Sequence, residues 1–280
     1  MKEISRETII TEVKRLCQEA NYHLPSDVYH VLHQACQDED SFLGQQTLQV
    51  LDENAQIASQ TSSPICQDTG MACIFVEIGQ DVHVEGSLTE AINEGVRQGY
   101  EKGYLRKSVV DDPLFDRINT KDNTPAIIQY DVVEGDQLKI TVAPKGFGSE
   151  NMSQVKMLKP SDGVQGVKDF VLKVIEDAGP NACPPMVVGV GIGGSFDRVT
   201  LLAKKAMLRE IGTHHLDERY HQLEDELLTM INKTGIGPAG YGGKTTALSL
   251  NIETYPTHIA GMPVAVSICC HVARHKEVVL

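Results

Sequence analysis

The chain has 280 residues, enough for one large domain or two small ones around a substantial core. Its 25 Lys and Arg against 38 Asp and Glu leave a formal charge of −13, which argues against a binder of nucleic-acid backbone. The 41% hydrophobic content is that of a folded globular protein, the longest apolar runs (Pro184–Val190 and Ile259–Cys270) fall short of a bilayer span, and the charged N-terminus lacks a signal-peptide core, so the expectation is a cytoplasmic protein with no membrane partner.

Residues 1–60 carry helical periodicity. Ile4, Ile9, Ile10, Val13 and Leu16 recur at three-to-four spacing, Pro25-Ser26-Asp27 interrupts, Val28, Val31 and Leu32 resume, and Leu43, Leu48, Val50 and Leu51 mark a third helix. From Thr61 onward, short β-like runs alternate with helical ones. Strands are expected at Ala72–Ile78, Ala126–Val133, Leu138–Ala143, Met186–Val190, Thr246–Ile252 and Val264–Cys270. Helices are expected at Leu88–Tyr104, Gly163–Ala178, Val199–Ile211 and Leu216–Ile231. The expected fold is mixed α/β, a single domain over 1–280 with a helical N-terminal segment (1–60) and an α/β body (61–280) bearing cysteines on loops at strand ends. No repeat or low-complexity linker divides it.

Two phosphate-binding patterns fail on context. Gly189-Val-Gly191-Ile192-Gly193-Gly194 fits a dinucleotide fingerprint, but no second strand ends in an acidic residue some twenty positions on; a tight strand-to-helix turn is the simpler reading. Gly243-Lys244-Thr245 resembles the end of a P-loop, but the first glycine that loop requires is Pro238, which has no amide to offer.

The seven cysteines (17, 36, 66, 73, 183, 269, 270) are odd in number and unevenly spaced, which favours reduced thiols over a disulfide framework. Cys17, Cys36 and Cys73 fall in no motif and are expected in the core. The others lie in loops with chemical character. Ser63-Pro-Ile-Cys66-Gln67-Asp68-Thr69-Gly70 sets a thiol beside an amide and a carboxylate, Asn181-Ala-Cys183-Pro-Pro185 precedes a strand, and Ser267-Ile-Cys269-Cys270-His271 ends one. No close C-x₂-C or H-x₃-H pair marks a zinc site. Single thiols far apart suit a cubane held by three thiolates with one iron left open. Inert thiols in a partner-binding subunit, or a zinc hydrolase, stay open as alternatives.

Six motifs in order then carry a resemblance: SPICQDTG, PKGFGSENMS, ACPPMVVGVGIGG, GPAGYGGKTTAL, HIAGMPVAV and CCHVARH. From about Thr61 to His275 the chain resembles the N-terminal, or α, portion of the iron–sulfur (class I) fumarate hydratase and L-tartrate dehydratase family. The resemblance implies a [4Fe–4S] cluster on Cys66, Cys183 and Cys270; Cys270 is chosen over Cys269 because it directly precedes the His of C-H-x-x-R, and the extra Cys269 is a departure. It implies Asp68 and His258 as catalytic groups. It also implies Gln67, Arg106, Gly146 and Gly148 as substrate-binding positions, although Phe147 stands where other members carry glycine.

The activity so implied is reversible hydration of fumarate to L-malate, a step of the tricarboxylic acid cycle, with L-tartrate dehydration as the alternative. The open iron would act as Lewis acid and an arginine would hold a carboxylate of the small dicarboxylate substrate. Because the chain stops five residues after His275, the resemblance also leads us to expect a β subunit carrying the remaining catalytic groups.

Overall fold

In a computed structural model, residues 2–280 are described; Met1, at the head of the expected helical segment, lies outside them. The chain forms two compact units. One takes the residues up to Pro25, Ala55–Phe147 and Arg274–Leu280; the other takes Ser26–Asn54 and Gly148–Ala273.

The first unit begins with β1 (Lys2–Ile4), where a helical start was expected; it pairs in parallel with β3 (Val82–Val84). The strand displaces the helix because Ser5 caps α1 (Arg6–Tyr22), accepting from the Thr8 N–H at 3.2 Å, and a capped helix cannot extend backward through its cap. The face Ile9, Ile10, Val13, Leu16 and Cys17 of α1 is fully buried against α4 (Leu88–Lys102), itself capped by Ser87. Both cover a sheet of order β10-β5-β2-β4, formed by Lys276–Val279, Leu138–Lys145, Met71–Gly79 and Ile127–Val133. β2 runs antiparallel to β5 and parallel to β4, and β10 closes the far edge antiparallel to β5.

The second unit holds α2 (Ser26–Asp38) and a sheet of order β6-β9-β7-β8, formed by Gln154–Leu158, Met262–Cys269, Met186–Gly193 and Ala247–Tyr255. α6 (Gly163–Ala178) and α8 (Glu218–Asn232) supply one core with this sheet, through Val171, Val174, Ile175, Leu227 and Ile231. α7 (Phe196–Ala206) packs against β7 and β9, with Val199 and Ala203 meeting Ala265. α3 (Phe42–Thr61) and the single turn α5 (Phe147–Glu150) bridge the units in sequence.

Only the end of the glycine run, Gly193 and Gly194 with φ of 93° and 71°, makes the expected strand-to-helix turn into α7. β7 continues through Gly193, and the glycines serve close packing: a Cβ on Gly189 or Gly191 would lie 2.1 Å from the Ala203 carbonyl oxygen or 2.2 Å from that of Val199. α7 accordingly starts three residues before the expected Val199 and ends at Ala206. Lys244 and Thr245 do form an amide cradle, and the chain fills it itself. The Glu39 carboxylate accepts from the Lys244 N–H at 2.9 Å and the Thr245 N–H at 2.9 Å. Burial opposes the charge on Glu39, but the amides of Lys244, Ser41 and Thr245 outweigh it and hold its carboxyl below the usual range.

None of the seven cysteines forms a disulfide. Cys17 and Cys73 are core, as expected. Cys36 is not: it is half-buried near the end of α2, its Sγ donating to the Leu32 carbonyl at 3.5 Å, because that face of the helix is only partly covered.

Candidate active site

In the first unit, four expected residues gather around the loop 66–70. Arg106 Nη1 donates to Gln67 Oε1 at 2.9 Å. The two Asp68 carboxylate oxygens are taken up by the backbone, Oδ1 by the Gly70 N–H at 3.0 Å and Oδ2 by the Phe147 N–H at 2.9 Å. Gly146 lies directly against that carboxylate: a Cβ there would sit 3.3 Å from Asp68 Oδ2. One amide of the glycine loop therefore orients Asp68.

The loop is held by residues that the sequence reading passed over. Buried Thr69 clamps the main chain of Arg106 in both directions, its Oγ1 accepting from the Arg106 N–H at 2.9 Å and donating to the Arg106 carbonyl at 3.2 Å. Tyr100, fully buried on α4, donates to the carbonyls of Thr69 and Gly70, each at 2.9 Å. Asn123 reaches the Gly70 carbonyl at 3.1 Å and accepts from the Ser108 N–H at 2.7 Å. It adopts a left-handed backbone (φ 63°), which asparagine tolerates better than most residues. Gly70 needs its own freedom, with φ 75° and a would-be Cβ 2.7 Å from the Lys145 backbone.

Arg274, the last residue of C-H-x-x-R, closes the arrangement. Its Nη2 donates to the Asp68 carbonyl at 2.6 Å. It is 6% exposed, and its Nε and Nη1 are buried with no hydrogen-bond partner.

A cavity of about 490 Å³ opens beside this loop. Asp68 and Arg106 line it together with Phe147, Ser108 and a second arginine, Arg117. Two guanidiniums on one cavity give a local positive field within an acidic chain, suited to a small dianion. Arg117 belongs to the irregular segment Asp111–Asn119, whose mix of acidic and apolar residues has no ligand spacing, so no signal identified it.

In the second unit, the loops of Cys183 and Cys270 are joined. Cys183 follows the 3₁₀ turn Gly179–Ala182 in a left-handed conformation (φ 52°) and is exposed. Its carbonyl accepts from the His271 N–H at 3.3 Å, and the His271 ring meets it through Nδ1 at 3.1 Å, which sets the ring as an Nδ1–H donor. Cys270 is half-exposed, whereas Cys269 ends β9 with its side chain buried, since successive strand residues point to opposite faces. Gly148 is exposed, with a would-be Cβ 3.7 Å from the Asn181 carbonyl oxygen. His258 is exposed in the β8–β9 connection, its Nδ1 accepting from the Ala260 N–H at 3.1 Å, so the neutral ring carries its proton on Nε2.

The donor chemistry fits an iron–sulfur cluster. Cys66, Cys183 and Cys270 are reduced and reach solvent on loops, while Cys17, Cys73 and Cys269 are buried. Arg274, four residues after Cys270, keeps two guanidinium nitrogens, Nε and Nη1, without hydrogen-bond partners, so its buried positive charge is open to an anionic group.

A family model described as fumarate hydratase (Fumerase) matches residues 10–279. The chain belongs to the Fumerase family. Members of the Fumerase family are hydro-lyases, and so is this chain. It is 44% identical to the putative L(+)-tartrate dehydratase subunit alpha of Methanocaldococcus jannaschii, over 94% of each chain. It is also 35% identical to the L(+)-tartrate dehydratase subunit alpha of Escherichia coli strain UTI89, over 90% of this chain and 84% of the relative. Among the described residues, no helix of this Fumerase chain is long and apolar enough to cross a membrane.

Proposed function

We propose that this chain is the α subunit of a [4Fe–4S]-dependent hydro-lyase that interconverts fumarate and L-malate, working with a β subunit. The observation that carries the reading is the pair Arg106 and Arg117 on one cavity with Asp68, in a member of the Fumerase family. Cys66, Cys183 and Cys270 would hold the cluster, which when bound supplies a Lewis acid for the hydroxyl that leaves.

The chain's own residues bind and orient. Arg106 offers a guanidinium to one substrate carboxylate, with Thr69 fixing its backbone. Because Gln67 Oε1 accepts from Arg106, its amide turns the NH₂ group outward as a donor for substrate oxygen. Asp68, with both carboxylate oxygens anchored by backbone amides, is a fixed acceptor for a substrate hydroxyl. His258, protonated on Nε2, is a donor toward a substrate oxygen or the leaving water. The proton on carbon is assigned to a group of the β subunit, whose existence is supported by the "subunit alpha" names of the relatives.

A second reading, L-tartrate dehydration, rests on those same names. The substrates differ by one hydroxyl, and a site that hydrogen-bonds that group discriminates strongly. The assembled enzyme, prepared anaerobically with its β subunit, is to be assayed on fumarate, L-malate and L-tartrate. Turnover of the first pair with tartrate slower by an order of magnitude or more supports the first reading, the reverse supports the second, and no turnover of any overturns both. Arg106→Lys should raise KM for the favoured substrate about tenfold, since a lysine cannot reproduce the two-pronged contact.

A further inference from the structure

Away from the cavity and the thiol loops, the second unit holds a compact group of metal-ligating side chains. His214 lies in the loop after α7, while His221 and Asp225 stand four residues apart on α8 and so share one face. One ligand atom from each of the three lies within 4.8 Å of the others. The two imidazoles are stacked, with centroids 3.8 Å apart and planes 27° from parallel. Asp225 reaches both, Oδ2 standing 3.4 Å from His221 Nε2 and Oδ1 4.0 Å from His214 Nδ1. Behind His221, its other nitrogen Nδ1 lies 3.5 Å from Glu218 Oε2.

We propose that His214, His221 and Asp225 form a binding site for a borderline divalent cation of the zinc type, with Glu218 orienting His221 from outside the ligand set. Zinc draws its donors to about 2.0–2.2 Å, which sets them roughly 3.3–3.5 Å apart around a tetrahedral ion. The His221–Asp225 pair already has that separation, and His214 Nδ1 stands 4.0 Å from Asp225 Oδ1. Two imidazoles and one carboxylate select zinc-like ions over calcium and magnesium, which prefer an all-oxygen shell. A carboxylate on the outer imidazole nitrogen is the usual companion of a histidine ligand.

The scaffold is built before any ion arrives. Glu224, 2% exposed on α8, accepts from the His215 N–H at 3.0 Å, the Ile252 N–H at 2.7 Å and Arg209 Nη1 at 2.8 Å. His215 Nδ1 accepts from the Asp217 N–H at 3.0 Å, and Asp217 caps α8 by accepting from the Arg219 N–H at 3.0 Å. The loop that carries His214 is thus tied to the helix that carries the other two ligands. His214 and Asp225 are exposed, so an ion enters without opening the core, and a water completes the fourth position.

The test uses the cluster-loaded enzyme, in which Cys66, Cys183 and Cys270 are occupied. Zinc bound per chain is to be measured by equilibrium dialysis with elemental analysis, and its neighbours by zinc X-ray absorption. The expected result is one zinc per chain with nitrogen and oxygen neighbours including imidazole, lost in both His221→Asn and Asp225→Asn and weakened about tenfold or more in Glu218→Gln. Iron and sulfide content should be unchanged in all three variants. No bound zinc, zinc with sulfur neighbours, or zinc retained in both His221→Asn and Asp225→Asn would overturn the proposal.

Discussion

Arg274 donates to the main-chain carbonyl of Asp68 at 2.6 Å, across 206 positions of sequence. The contact ties the C-terminal segment of the first unit to the loop that carries Cys66, Gln67 and Asp68. The same guanidinium buries two nitrogens, Nε and Nη1, without partners, a cost that offsets the bond it makes.

Stability and activity should therefore separate at this residue. Arg274→Met is expected to change unfolding free energy by only about 1 kcal/mol, because it removes both the bond and the unsatisfied donors. Hydro-lyase turnover by the assembled enzyme should fall at least tenfold as the Asp68 loop loses its tether. Urea unfolding and steady-state kinetics check the two halves, and a collapse of stability would make the role purely structural.

Gly70 and Gly86 share a φ of 75°, but only Gly70 is enclosed. Gly86→Ala should cost only the backbone strain, about 1–3 kcal/mol. Gly70→Ala meets the Lys145 backbone as well and should lower the melting temperature further, with loss of Asp68 orientation. Calorimetry of the two variants side by side is the comparison, and equal losses would contradict it.

Thiol reactivity should sort the cysteines. Burial pushes Cys17 up to about 12, leaving about one thiolate in ten thousand at pH 8. Burial, with a smaller contribution from Asp52, pushes Cys36 up to about 11. In cluster-free protein, iodoacetamide should label exposed Cys183 first and Cys17 last, read by peptide mass spectrometry. Loading the cluster should protect Cys66, Cys183 and Cys270 together and leave Cys36 unaffected.

Asp122 titrates at about 2: burial raises it, but the Thr124 N–H and hydroxyl and Arg97 outweigh that and lower it. A folded value below the unfolded one stabilises above about pH 4, and that stability is lost as pH falls toward 2. Asp122→Asn should therefore be less stable than the parent at pH 7, with the difference closing between pH 4 and 2. Unfolding curves across that range provide the measurement.

The alternation and periodicity that bury one face of an element were readable directly. α6 runs Gly163–Ala178 as expected, and the strands from β2 to β9 that carry strong apolar runs lie where those runs are. β6 and β10 were missed because Gln154–Leu158 and Lys276–Val279 are short, charged and half-exposed, and are strands only through pairing with β9 and β5. Motif resemblance pointed to Cys66, Gln67, Asp68 and Arg106, but their supports were invisible to it. Tyr100, Thr69, Asn123 and Arg274 carry no periodicity or spacing that marks them as supports. Their roles depend on main-chain partners that no spacing rule encodes.

The pairing of β10 with β5 has a further consequence during synthesis. Glu277 meets Thr141 across 136 positions, so the outer strand of the first sheet leaves the ribosome on the order of ten seconds after its partner. Throughout that interval β5 presents an open edge and the Asp68 loop lacks its tether. A nascent chain stalled before Arg274 should therefore be readily cleaved by protease within the Ala55–Phe147 stretch, and become resistant once Lys276–Val279 has cleared the ribosome and can pair with β5.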